Sequence, residues 1–155
     1  MDDAARASLT NVGWDETRRY PTDDVARRLQ QRGFTLFPAA RAFLECYGGL
    51  FVHTAPRESD TEYFHTCPDE VATDPGWTAK WERVSGTRVF PIGKTAFGDY
   101  TLIMDEHGRV FGMDMYLQMT YWADDTEELL DAILGNGGTF RPVYPEDRRP
   151  IEPER

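Results

Sequence analysis

Apolar residues recur along this chain in two rhythms, and the rhythm changes near residue 50. In "PTDDVARRLQQRGF" Val25, Ala26 and Leu29 form one apolar stripe at helical spacing. Thr22 or Asp23 stands at the N-cap, Asp23 and Asp24 sit near the positive end of the helix dipole, and Gly33 is placed to cap the end in a left-handed conformation. After the extended "FTLF" and Pro38, residues 39–47 predict a second short helix on which Ala42, Phe43 and Tyr47 share a face. "FLECYGGLFV" then stops that helix at Gly48 and Gly49 and restarts at once as the strand "LFVHT". A helix end of this kind calls for positive φ at Gly48. Residues 1–11 show no comparable stripe and are expected to be a flexible tail.

Beyond residue 50 the signal is extended structure. "EYFHTC" can form a strand, while "PGWTAKWERV" fits either a helix with Pro75 near its start or an irregular aromatic segment. "RVFPIG" reads as a strand ending at Gly93. "TLIMDEHGRVFGM" carries two apolar runs around a four-residue turn, which predicts a hairpin with 101–104 antiparallel to 109–112. "LQMTYWA" continues as a strand, and "DDTEELLDAIL" is the closing helix, with Asp125 and Glu128 at capping-box spacing. Helices, then antiparallel strands, then a helix predict an α+β fold. The expectation is one domain over 12–140, a twisted, mainly antiparallel sheet that includes 50–54, 89–92, 100–104 and 109–113. The proline- and charge-rich segment 141–155 is expected to be loosely ordered.

Composition supports a packed fold: 155 residues, 40% of them hydrophobic, are enough to bury a core without a disulfide or a metal. No apolar run is long enough to span a membrane. The start of the chain lacks the basic and apolar regions of a signal peptide, so a cytoplasmic location is expected. Cys46 and Cys67 are expected as reduced, half-buried thiols rather than a disulfide. Charge is concentrated. Between Asp99 and Phe140 nine acids face a single base, Arg109, and that segment supplies −8 of the net −10. Such a surface repels nucleic acid and anionic lipid and attracts basic partners.

Candidate chemistry is sparse. His65 and Cys67 would share a strand face, but a zinc site needs two further ligands, and no CxxC or HExxH is present. Cys46 sits near a helix C-terminus, whose negative end disfavours a thiolate. The adjacent pairs Asp105–Glu106 and Asp124–Asp125 are placed as turn and capping acids rather than as a converging catalytic pair. No cofactor motif and no metal set emerges, and no enzymatic activity is expected. The aromatics Trp77, Trp81, Tyr116, Tyr121 and Trp122 lie among the acids. Strand alternation sends Tyr121 and Trp122 to opposite faces, so one of them points away from the core unless both faces are covered. Exposed aromatics rimmed by acids are the composition of a protein-binding patch.

Three motifs follow one another in order: Gly13-Trp14 with Arg18; Phe43-Leu44 with Gly48-Gly49-Leu50; and Pro91-Ile92-Gly93 followed by Leu102, Asp105, Gly108 and Val110-Phe111. The series resembles the SUKH superfamily of bacterial immunity proteins, in particular the branch that opens with Gly-Trp…Arg, over roughly residues 12–135. The order and spacing of the motifs carry the likeness. It implies an α+β fold and a cytoplasmic antidote that binds and blocks the toxin domain of a polymorphic or contact-dependent toxin system, such toxins often being nucleases or nucleic-acid deaminases. The motif residues themselves read as structural, and the toxin-contact surface does not carry over by position. From charge and alternation, the partner-binding residues are expected to be Asp114, Tyr116, Tyr121, Trp122, Asp124, Asp125 and Glu128, facing a basic toxin domain. The competing readings are a small enzyme that uses an acid pair or Cys/His in a pocket, and a general protein-interaction scaffold. The oligomeric state is left open.

Overall fold

In the computed structural model the described residues are 1–53, 63–71, 74–95, 100–114, 116 and 119–135. The expectations on Asp99, on the end of the domain at 136–140 and on the 141–155 segment lie outside them. The elements run α1 (Asp3–Thr10), α2 (Asp23–Gln31), α3 (Pro38–Tyr47), β1 (Phe51–His53), β2 (Tyr63–His65), a 3₁₀ turn at Pro68–Glu70, α4 (Pro75–Ser85), β3 (Val89–Thr95), β4 (Tyr100–Asp105), β5 (Val110–Met113), β6 (Met119–Ala123) and α5 (Thr126–Leu134). The six strands form one antiparallel sheet in the order β1-β2-β3-β4-β5-β6. The predicted hairpin is present with its second strand one residue later than expected, Thr101 lying opposite Met113 and Met104 opposite Val110, because Arg109 is taken up by the turn around Asp105.

Both sheet faces are covered in the β3–β6 region, which is why those strands read as apolar runs rather than as strict alternation. Phe90, Leu102, Met104, Val110 and Trp122 face the main core, with Leu9 of α1, Val25 and Leu29 of α2, Phe43 and Leu44 of α3, and Leu129 and Leu130 of α5. The alternate residues Val89, Ile103, Phe111, Met113 and Met119 form a second cluster on the other face. There Trp81 of α4 lies 5.5 Å from the Phe111 ring. Each large side chain buried in this way contributes about 1.5–3 kcal/mol.

The first residues are not a tail. Residues 3–10 are helical, Asp2 caps them by accepting from the Ala5 N–H at 2.8 Å, and Ala5 and Leu9 are fully buried. Two apolar residues four apart are too little to mark so short a helix in sequence. It forms because it packs on α5, from the far end of the chain. On α3 the buried face is Ala40, Phe43 and Leu44, with Tyr47 beside it, and Ala42 points to solvent.

The end of α3 is the junction of the fold. Its last four carbonyls have no partner further along the helix. The Gly48 N–H donates to Leu44 at 2.7 Å, the Tyr20 N–H to Glu45 at 2.8 Å and the Trp14 indole N–H to Cys46 at 3.1 Å. The Thr66 hydroxyl donates to Tyr47. The backbones of Thr66 and Leu50 are also joined, the Thr66 N–H donating to the Leu50 carbonyl at 2.9 Å. Trp14 stacks on Tyr47 at 5.6 Å, and the Arg18 guanidinium lies 5.5 Å over the Tyr20 ring. That ring lies flat against the glycine pair. Gly48 itself has φ −61°, in the ordinary region; the left-handed residue is Gly49, at φ +72°. Gly48 is required for a different reason, since a Cβ there would meet both the Tyr20 ring and the Leu44 carbonyl oxygen. The turn falls one residue later than the sequence predicts because the chain leaves α3 extended to pass under Tyr20.

Leu9→Ala is expected to destabilise the fold by about 2–5 kcal/mol, the range for a fully buried leucine, read from denaturant melts; a change within error would mean that α1 is dispensable. Gly49→Ala is expected to cost about 1–3 kcal/mol from positive φ and contact with Tyr20 together. In a Tyr20→Ala background only the backbone part should remain, so a double-mutant cycle should show coupling between the two sites.

Candidate functional site

The residues expected to meet a partner fall into two groups. Asp114 and Tyr116 lie in the β5–β6 connection, where the Asp114 carboxylate accepts from the Tyr116 N–H at 2.8 Å and Tyr116 is 77% exposed. Asp124, Asp125 and Glu128 lie at the other end of β6, a separation of roughly 17 Å for a five-residue strand. The second group is built by the start of α5. Asp125 is the N-cap and accepts from the Glu128 N–H at 2.9 Å, while the Glu128 carboxylate reaches back to the Asp124 N–H at 2.6 Å. This is the anticipated capping box, with the return bond shifted to the residue before the cap. The Tyr121 hydroxyl donates to Asp124. Among the described residues no salt bridge involves Asp124, Asp125 or Glu128.

Trp122 does not belong to this surface. It is 7% exposed, lies on the main-core face against Tyr100 at 5.1 Å, and donates its indole N–H to the Thr120 hydroxyl at 2.7 Å. The missing side chain of Gly112 makes room for its indole. Tyr121 points to the opposite face, as alternation requires, but is half-buried there, 5.8 Å from Phe111. Covering both faces removes the need for either ring to be fully exposed. Asp105 is also lost from the acidic surface. It is fully buried and organises the β4–β5 turn, accepting from the N–H groups of His107 and Arg109 at 2.9 Å each and pairing with the Arg109 side chain at 2.7 Å. Glu106 pairs with Arg88 at 3.1 Å, and this partner holds its carboxyl below the usual range. Arg88 lies outside the acidic segment, so counting charge along the chain could not reveal that pairing.

The other candidates do not converge. Among the described residues no group of three or more His, Cys, Asp and Glu side chains is placed to hold a metal ion. Cys46 and Cys67 are both free thiols. Cys46 borders a surface cavity of about 210 Å³ with Trp14, Arg18 and Tyr47, and no histidine lines that cavity. Cys67 and His65 meet through the backbone: the Cys67 N–H donates to His65 Nδ1 at 3.2 Å. Burial pushes the Cys67 thiol up, away from reactivity.

A family model for SUKH-3 immunity proteins matches residues 1–136, which takes in α1 as well as the three motifs. The chain belongs to the SUKH-3 immunity protein family. No curated protein and no solved structure matches it. Membership makes this SUKH-3 chain a non-enzymatic protein whose role is to neutralise a cognate toxin. No described helix is long and apolar enough to cross a membrane.

Burial lowers the pKa of His65 from its ordinary 6.5, against a smaller opposing effect of Glu70. The folded state therefore favours the neutral ring, the form that accepts from Cys67. Its contribution to stability is complete above pH 6.5 and is lost as pH falls through the lower folded value. The melting temperature should accordingly fall on acidification below 6.5, before the carboxylates titrate, and His65→Asn, which keeps an acceptor, should flatten that slope. An equal slope in the variant would assign the acid sensitivity elsewhere.

Proposed function

We propose that this SUKH-3 protein blocks a basic toxin domain, a nuclease or nucleic-acid deaminase, by stoichiometric binding through the acidic surface at the start of α5. The observation that carries this reading is the carboxylate group Asp124, Asp125 and Glu128, turned to solvent and joined to no described cation, on an immunity-protein fold. A nuclease or deaminase presents cationic side chains to its nucleic acid, and an acidic protein surface competes for them. Tyr116, in the β5–β6 connection, is the exposed aromatic anchor, and Asp114 stands beside it. A standard interface of about 800 Å² per partner is wide enough to include both ends of β6. Tyr121 contributes its hydroxyl edge through Asp124.

The acids at the start of α5 also cap a helix, so reversing their charge would confuse stability with binding. The variant Asp114→Asn, Asp124→Asn, Asp125→Asn, Glu128→Gln removes four charges and keeps the acceptors, asparagine being a good N-cap. Against the toxin domain encoded beside the gene, its association rate should drop about tenfold or more at low salt and lose most of its salt dependence, with the melting temperature nearly unchanged. Tyr116→Ala should mainly speed dissociation. Wild-type kinetics in both variants would remove this surface from the account.

A further inference from the structure

The edge of the sheet opposite the acids carries a second surface. Among the described strands β1 is at the edge, and its residues alternate: Val52 is buried, while Phe51 and His53 are exposed, Phe51 by 46%. Across the ladder Phe51 faces His65 and His53 faces Tyr63. The rings of Phe51, Tyr63 and His65 are nearly parallel, with Phe51–Tyr63 centroids 4.9 Å apart and Tyr63–His65 centroids 5.7 Å apart, and His53 meets Phe51 edge-on at 5.2 Å. Exposure rises towards the edge, from buried His65 through half-buried Tyr63 to Phe51 and His53.

Backbone parity fixes what this edge offers. The Leu50 carbonyl accepts from the Thr66 N–H, so Leu50 turns its carbonyl toward β2, and by alternation Val52 bonds in the same direction. The N–H and C=O groups of Phe51 and His53 therefore point away from β2. An antiparallel copy of β1 related by a two-fold axis at Val52 would set Phe51 opposite His53 of the other copy. Those outward backbone groups would then bond in pairs, and the ring row would continue across the axis. The edge is self-complementary, as an isologous interface requires.

Distance from the acids at the ends of β6 favours the same edge. A chain of net charge −10 resists self-association. Strand order puts β1 five spacings from β6 and the acids that follow it, roughly 24 Å, against a screening length of about 8 Å at physiological ionic strength. The described charges near the ring row are Lys94, opposite His65, and Glu70, which acts on His65. They are opposite in sign.

We infer that two copies of this chain associate through antiparallel pairing of β1, with Phe51 of each against His53 of the other. Such a dimer leaves both acidic ends open.

Sedimentation velocity on the full chain, from about 10 μM to about 1 mM, should show a concentration-dependent shift from monomer to dimer. Phe51→Lys should weaken association by tenfold or more, since an edge lysine opposes strand pairing. Its melting temperature should hold, because Phe51 lies outside both core clusters. Register is tested by oxidation. Directly opposed residues have Cα atoms about 5.5 Å apart, within disulfide reach, whereas Phe51 and its own copy would lie about 8 Å apart, beyond it. The double variant Phe51→Cys, His53→Cys should form a covalent dimer whose 51–53 linkage appears in peptide mass spectra, and Phe51→Cys alone should not. A wild-type chain that stays monomeric up to about 1 mM, a dimer indifferent to Phe51→Lys, or equal cross-linking of the single and double variants would each overturn the proposal.

Discussion

A helix end packed against the rest of a protein must find partners for its last carbonyls, and at the half-buried end of α3 that requirement organises the fold. The acceptors at Glu45, Cys46 and Tyr47 are met by Tyr20, Trp14 and Thr66, which come from the segment before α2 and from the residue that follows β2. A typical internal hydrogen bond contributes about 0.5–1.5 kcal/mol net, and three of them meet at this one helix end. Trp14, Arg18, Gly48 and Gly49 are therefore parts of one device. The tryptophan donates and stacks, the arginine lies over Tyr20, and the glycines leave room for the Tyr20 ring. The residues of the first two motifs hold the scaffold together here.

Covering the sheet on both faces has a second consequence. With the main core on one side and the Trp81–Phe111 cluster on the other, little aromatic surface between β3 and β6 remains for a partner. The unoccupied chemistry is displaced to the margins: carboxylates and Tyr116 at the ends of β6, and rings along β1.

The sequence made the α+β class, the β4–β5 hairpin and the α5 cap legible, because each is encoded within about a dozen neighbouring residues. It hid α1, whose two buried residues acquire meaning only against α5. It misplaced positive φ by one residue because the position of the turn depends on Tyr20, nearly thirty residues away. In the candidate site, the capping acids were readable from spacing, but the fates of Asp105 and Trp122 were not. Asp105 is consumed by a turn and Arg109, and Trp122 by the space over Gly112. Local charge and alternation say which way a side chain is inclined; they do not say what is waiting on the other side.

The sheet is a pure meander, in which every strand lies beside its sequence neighbours. From β3 to β6 the connections are only four or five residues long, so closing each of those pairings costs little entropy, whereas β2 reaches β3 only through the 3₁₀ turn and α4. The junction at α3 is different, since Trp14 and Thr66 approach the helix end from separate parts of the chain. The domain thereby joins two kinds of contact, near-neighbour pairing from β3 to β6 and long-range bonds that tie the end of α3 to Trp14 and Thr66, and only the second kind holds the N-terminal helices to the sheet edge.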